Sequence, residues 1–226
     1  MSEILQKLGL VPFFTGQLTD VSLLHDRVGR VMSVQRSRST AFCESGERVV
    51  ELSLALQQSA AVDRPTVGDW VVLDESLSRI EQVLERKSLF KRLGAGGNGE
   101  IQPIAANIDI LFIVTSCNEE FKESRLERYL TLCAEAGAMP VIVLTKADLA
   151  EDTDSFMLRA HSAQAGVSVE IVNALDPTTL AGVQSWIENT STVALVGSSG
   201  VGKSTLLNTL AGSALAATGD IREQDM

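Results

Sequence analysis

Val193-Ala194-Leu195-Val196-Gly197-Ser198-Ser199-Gly200-Val201-Gly202-Lys203-Ser204-Thr205-Leu206-Leu207 reads as a short apolar strand, a glycine-rich loop and the first turns of a helix. Gly197 to Ser204 fit the pattern G-x-x-x-x-G-K-S in full. Such a loop turns successive backbone N–H groups onto one anion, and the helix that follows adds its positive end. Lys203 is placed to reach terminal phosphates and the Ser204 hydroxyl to ligate Mg²⁺, so both are candidate catalytic residues. The whole run from Gly197 through Ser198, Ser199, Gly200, Val201, Gly202, Lys203, Ser204 and Thr205 is the candidate phosphate cradle.

Upstream, the chain alternates strand and helix. Strands are expected at Ile108 to Thr115, Pro140 to Thr145, Val167 to Val172 and Thr192 to Val196. Helices are expected at Glu120 to Ala136, Ser155 to Ala165, Leu180 to Glu188 and Lys203 to Ala211. Continuous apolar strands separated by helices predict a parallel sheet covered on both faces, an α/β fold. At the carboxyl end of the second strand stands Thr145-Lys146-Ala147-Asp148, the [N/T]-K-x-D pattern of guanine binders. A carboxylate there accepts hydrogen bonds from guanine N1–H and the 2-amino group, which adenine lacks, while the Lys146 stem lies along the base. A third contact, a backbone N–H after the next strand, falls on Ala174 in Val172-Asn173-Ala174, where Asn173 replaces the usual serine and equally suits a loop cap.

Before the glycine-rich stretch Gly94-Ala95-Gly96-Gly97-Asn98-Gly99 the texture is β-like. Val28 to Val34, Ala41 to Glu44, Arg48 to Leu54, Trp70 to Leu73 and Arg79 to Leu84 read as five short strands, suiting a small barrel of OB type or an SH3-like one. The expected organisation is an extension at 1–24, a barrel at 25–93, a linker at 94–100 and the α/β domain at 101–226. Leu5, Leu8 and Pro12-Phe13-Phe14 are expected to pack on the barrel.

The net charge of −10 is confined to residues 93–226, whereas residues 1–92 balance 12 basic against 12 acidic side chains. Any polyanion therefore meets the first part more readily. Arg27, Arg30, Arg36 and Arg38, with Arg86, Lys87, Lys91 and Arg92, either line RNA phosphates or form an ordinary solvated surface; the sequence leaves both open. No apolar run approaches the roughly 20 residues of a membrane span, and the N-terminus lacks a signal-peptide pattern. Cys43, Cys117 and Cys133 have no zinc or redox spacing and read as small buried hydrophobes in a reducing cytoplasm.

Motif order carries further information. Base-reading residues 145–148 and 174 precede the phosphate loop at 197–205, the reverse of ordinary GTPases. The strand usually first in a Ras-like sheet here follows those usually fourth, fifth and sixth, a circular permutation that keeps every ligand loop at the carboxyl edge. In this order, and in Leu8-Gly9-Leu10, Val67-Gly68-Asp69-Trp70-Val71, Pro103-Ile104-Ala105-Ala106-Asn107-Ile108-Asp109, Arg125-Leu126-Glu127-Arg128-Tyr129-Leu130, Pro140 to Leu149 and Leu195 to Leu207, the chain resembles the circularly permuted ribosome-assembly GTPases of the RsgA (YjeQ) type.

The resemblance implies a cytoplasmic, monomeric GTPase that takes GTP/GDP with Mg²⁺ and aids late maturation of the small (30S) ribosomal subunit. It also implies that the barrel touches rRNA and that the subunit stimulates hydrolysis. The runner-up readings are another permuted GTPase, which the Val-Gly-Asp-Trp turn disfavours, and a non-hydrolysing RNA-binding module that senses GTP. A P-loop kinase using ATP is disfavoured by Asp148. In the family, a switch threonine, a D-x-x-G loop and a Zn²⁺-binding cysteine-rich domain follow the phosphate loop, and the sequence to Met226 contains none of them. Asp26-Arg27-Val28-Gly29 spells D-x-x-G but opens the barrel and is set aside. The expectation is that a segment ending at Met226 leaves the phosphate-loop strand as a sheet edge, binds nucleotide poorly and turns it over slowly.

Overall fold

The parallel sheet is built where the sequence is most continuously apolar. The computed structural model describes residues 3–18, 27–35, 38–93, 101–187 and 190–213. The glycine-rich stretch, Asp26, Arg36 and the end of the chain after residue 213 lie outside the described residues. The chain divides into two compact units, Met1–Asp109 with Asn189–Thr192, and Ile110–Glu188 with Val193–Met226.

The first unit begins with short helices α1 (Glu3–Lys7) and α2 (Pro12–Thr15). Five strands follow: β1 (Val28–Val34), β2 (Ser39–Cys43), β3 (Gly46–Leu52), then helix α3 (Leu54–Gln58), β4 (Trp70–Leu73) and β5 (Arg79–Val83). They close into a barrel in the order β1-β2-β3-β5-β4, with β3 and β5 parallel and the other pairs antiparallel. Of the two barrels the sequence allows, this five-stranded Greek-key closure is the OB type.

All four residues of β4 are buried because each face has its own core. Val71 and Leu73 point into the barrel with Val31, Ala41, Cys43, Val50 and Ile80. Trp70 and Val72 point the other way, onto Leu5, Leu10, Phe14, Val28 and Leu84. The expected packing of the N-terminal residues thus holds for Leu5, Leu8 and Phe14, while Phe13 is 42% exposed.

Strands β6 (Leu89–Leu93) and β7 (Ile101–Ala106) pair antiparallel on either side of the glycine-rich stretch. The compact units divide after Asp109, beyond the linker expected at 94–100. Pro103 sits in β7, tolerated because a two-stranded sheet is all edge.

The second unit runs β8 (Ile110–Ser116), α4 (Glu123–Ala136), β9 (Met139–Thr145), α5 (Thr153–Ala163), β10 (Ser168–Ile171), α6 (Ala181–Ser185), β11 (Val193–Val196) and α7 (Lys203–Ala211). Its sheet is parallel in the order β10-β9-β8-β11. That is the permuted arrangement expected from the motif order. Every residue of β8 is buried. Ile110, Phe112 and Val114 pack with Val141 and Val143 against Val183, Val201 and Leu206. The intervening Leu111, Ile113, Ile142 and Leu144 are buried on the opposite face.

The helix expected at Leu180 to Glu188 is shorter, Ala181–Ser185, entered through a 3₁₀ turn over Pro177–Leu180. Asp176 caps that turn, its Oδ1 accepting from Thr178 N at 2.9 Å. The three cysteines are free and buried, and burial pushes each thiol up to about 11.

Candidate functional site

The phosphate loop owes its shape to close packing on the neighbouring strand. Gly197 has φ +150°, and a Cβ there would lie 2.1 Å from the Val114 carbonyl oxygen, so no larger residue fits. The loop then runs over Ser198 and Ser199, turns through positive φ at Gly200 and Gly202, and enters α7 at Lys203. Lys203 Nζ donates to Gly197 O at 2.9 Å and to Ser198 O, which folds the ammonium across the loop. Burial lowers its pKa, because the charge has left part of its water. Ser204 is half-buried at the second position of α7, and its hydroxyl has no hydrogen-bond partner among the described residues.

Thr145 ties the base motif to this loop. It is fully buried, and its hydroxyl lies 2.6 Å from Val201 O and 3.2 Å from Thr115 O. Its backbone carbonyl accepts from Cys117 N at 2.9 Å. Lys146 then adopts φ +57°, uncommon for a residue with a Cβ, and starts a 3₁₀ turn over Ala147–Leu149. Ala147 N donates back to Val172 O at 3.3 Å. Asp148 is exposed, and no side chain or backbone group among the described residues bonds to its carboxylate.

The third expected contact is fixed from two sides. Thr209 of α7 donates to Ala174 O at 2.7 Å, tying this loop to the phosphate-loop helix. Asn173 Oδ1 accepts from Leu175 N at 3.0 Å, so Asn173 is a loop cap. Thr145, Lys146, Asp148, Asn173, Ala174, Gly202 and Thr205 share one cavity of about 180 Å³ with Leu149 and Leu175. The sequence reading did not single out those two leucines. The only signal for them was position, one residue beyond Asp148 and one beyond Ala174.

The barrel unit corrects half of the basic cluster read from the sequence. Arg30 is buried: its guanidinium donates to Thr192 Oγ1 at 2.6 Å, to Leu8 O, and at longer range to Gly68 O and Asn107 O, and it lies 5.7 Å from the Trp70 ring. Burial pulls its pKa down, opposed by Asp109 and Asp69. Arg86 forms a two-pronged pair with fully buried Asp69, both bonds 2.8 Å. Arg27 pairs with Glu81 at 2.7 Å and Lys87 with Asp109 at 2.7 Å. All four are engaged, Arg30 and Arg86 in the interior and Arg27 and Lys87 by ion pairs at the surface. Lys91 and Arg92 are exposed and unpaired among the described residues, and Arg38 is exposed, 3.9 Å from Glu51.

Among the described residues, no group of three or more His, Cys, Asp or Glu gathers to hold a metal. A Mg²⁺ site of the phosphate-loop kind needs no such group, because nucleotide phosphates and water supply most ligands and the protein one hydroxyl. The unpartnered Ser204 fits it. No described helix is long and apolar enough to cross a membrane.

The RsgA GTPase family model matches residues 83–226. The chain is 44% identical over 221 residues to "Small ribosomal subunit biogenesis GTPase RsgA 2" of Vibrio vulnificus, covering 98% of this chain and 61% of that protein. It is also 44% identical over 229 residues to "Small ribosomal subunit biogenesis GTPase RsgA" of Mesorhizobium japonicum, covering 99% and 64%. It thus spans about three-fifths of the length of these relatives. Its fold is similar to the crystal structure of YjeQ from Thermotoga maritima, with TM-score 0.63 and 24% identity over 81% of this chain and 64% of that one. YloQ, described as a circularly permuted GTPase, gives TM-score 0.58 and 25% identity, covering 84% and 66%. A family model matched over more than half of its residues, and relatives matched along nearly all of them, place this chain in the RsgA GTPase family.

Proposed function

We propose that this chain binds GTP and, within the protein it represents, hydrolyses it to GDP and phosphate during late assembly of the small ribosomal subunit. The observation that carries the reading is the convergence of the Thr145–Asp148 turn, Ala174 and the phosphate-loop residues Gly202 and Thr205 on one cavity. One nucleotide spans them: guanine at Asp148 and the Ala174 N–H, phosphates in the loop from Gly197 to Thr205.

Lys203 is poised to exchange its two backbone carbonyls for phosphate oxygens. Ser204 would hold Mg²⁺, which when bound offsets charge on the terminal phosphates. In hydrolysis, water attacks the γ-phosphorus while the bond to the β–γ bridging oxygen breaks, and GDP departs with that electron pair. The chain's contribution is alignment and electrostatic stabilisation by Lys203 and the loop N–H groups. The names of the relatives support the small ribosomal subunit as partner. The OB barrel supports rRNA contact, through Arg38 of the barrel and through Lys91 and Arg92 of the neighbouring strand β6. A reducing cytoplasm agrees with three buried free thiols.

Competition between GTP and ATP on Asp148→Asn tests the base assignment. Losing charge-assisted bonds worth roughly 3 kcal/mol together should weaken GTP about a hundredfold and leave ATP unchanged. Equal GTP affinity in variant and parent would end the assignment. GTP turnover with and without purified small subunits tests the partner; no stimulation would remove it.

A further inference from the structure

The barrel unit also holds a cavity, of about 450 Å³, that shares no lining residue with the one beside Asp148. Its volume is that of an ordinary small-molecule site. Hydrogen-bonded backbone forms its walls. On one side Gln35 N donates to Arg38 O at 2.8 Å, joining the end of β1 to the start of β2. A register shift between Val31 and Ser33 bends β1 just before Val34, which lines the cavity while 44% exposed. On the other side Ser53 caps α3, its Oγ accepting from Leu56 N at 3.4 Å, and Gln57 Nε2 donates to Leu52 O at 2.9 Å. Arg64 Nη2 closes the end of α3, donating to Gln57 O at 2.9 Å and to Ser59 O at 3.1 Å. The walls are thus pre-formed.

The lining joins apolar surface to unspent positive charge. Val50 and Pro65 are buried and Leu52 is half-buried. Two arginines and no carboxylate line the cavity among the described residues, in a chain of net charge −10. The ion pair of Arg38 with Glu51 is long, 3.9 Å, between two mostly exposed side chains, and such pairs contribute little. Arg64 Nε is buried with no hydrogen-bond partner among the described residues. An unmade donor is a standing cost, which an oxygen in the cavity relieves once the guanidinium turns toward it. A groove for single-stranded nucleic acid would offer rings on which bases stack, and no aromatic residue lines this cavity. We propose that the cavity binds a small organic anion, its phosphate or carboxylate group held by Arg64 and Arg38 and its apolar body by Val34, Val50, Leu52 and Pro65. The site is independent of the nucleotide reading.

The test titrates the whole chain with naphthyl phosphate, naphthylacetate and neutral naphthalenemethanol, with GDP and Mg²⁺ present to fill the phosphate loop, and locates each probe by amide chemical shifts. At least one anion should bind saturably and move the amides of Gln35, Val50, Leu52 and Gln57; the tighter anion names the charged group. Arg64→Gln should weaken it about tenfold and Arg38→Gln about threefold. Arg64→Gln also strips two carbonyls at the end of α3, so Val34→Glu, which touches neither, is the second variant. Its carboxylate should weaken the anion about fivefold and leave the urea midpoint unchanged. Saturation by neither anion at millimolar concentration would overturn the proposal. So would equal binding of naphthalenemethanol, parent-like affinity in both Val34→Glu and Arg64→Gln, or shifts centred on Gly200 to Ser204. A short oligouridylate that displaces the anion and binds more tightly, through Arg64, would assign the cavity to RNA and overturn it as well.

Discussion

The two units treat their most recognisable residues in opposite ways. In the barrel unit, Val67-Gly68-Asp69-Trp70 and Ala105-Ala106-Asn107-Ile108-Asp109 bond to each other. Val67 bridges to Ala105, and a Cβ on Gly68 would lie 2.2 Å from Ala106 O. Asn107 donates to Gly68 O at 3.1 Å and accepts from Lys87 N at 2.9 Å. Asp69 takes Arg86 and Thr66 N, and Asp109 takes Lys87 and Thr192 N. In the parallel-sheet unit, Asp148 and Ser204 have no partner among the described residues, and Lys203 bonds only to loop carbonyls. Both sets mark the family in sequence. Only the second is left available to a ligand, and hydrogen-bond satisfaction, rather than residue type, separates the two roles.

The hardest test of that contrast is the buried pair. Arg86 also donates to Val62 O at 2.6 Å and Arg64 O at 2.8 Å, so its removal strips several acceptors and leaves the Asp69 charge without its counter-ion. Arg86→Met should lower unfolding free energy by roughly 3–5 kcal/mol, read from urea denaturation. GDP affinity per folded molecule should stay within about twofold. A stable Arg86→Met variant with weakened nucleotide binding would reverse the assignment, making this turn part of the ligand machinery.

Thr145 is the residue where the contrast is sharpest, since it serves both roles. Thr145→Val keeps the shape but removes the hydroxyl shared between Val201 O and Thr115 O, leaving a buried carbonyl without its donor. The expected loss is about 1–3 kcal/mol of stability. GDP binding should also weaken several-fold, because Val201 sits inside the phosphate loop. Thr145→Ser should recover both. Loss of stability with full GDP affinity would make Thr145 a purely structural neighbour of the site.

What the sequence made legible follows the same physics. All four β-strands and all four helices of the α/β unit were readable, α6 only in part, because apolar runs and a phosphate-loop helix leave little choice of period, and α7 at Lys203–Ala211 was read to the residue. Thr145, Lys146, Asp148, Ala174, Gly202 and Thr205 share a cavity because strand ends of a parallel sheet are forced to one edge. The β6–β7 pair was not legible, since the glycines between its strands suggested a break. Nor were the partners of Arg30 and Arg86, because bonds spanning 162 and 17 residues leave no local pattern. Leu149 and Leu175 were invisible for the opposite reason: an exposed leucine looks like any surface residue until the cavity beside it is seen.

The smallest predicted effect concerns the basic residues that the barrel leaves free. Lys91 and Arg92 lie at the end of β6, exposed and unpaired among the described residues, whereas Arg30 and Arg86 are internal supports. If surface and support are separable, Lys91→Ala with Arg92→Ala should leave the urea midpoint unchanged. The pair should weaken binding of a structured RNA only several-fold, and lower the slope of log affinity against log salt by about 1.5–2, the value for two lost phosphate contacts. Arg30→Met should do the converse, destabilising the fold while leaving the salt slope of the folded fraction intact. A salt slope that drops for Arg30→Met and stays fixed for the Lys91/Arg92 pair would mean that the barrel meets polyanions through a face that opens on binding, and the distinction between satisfied and available side chains would fail for this unit.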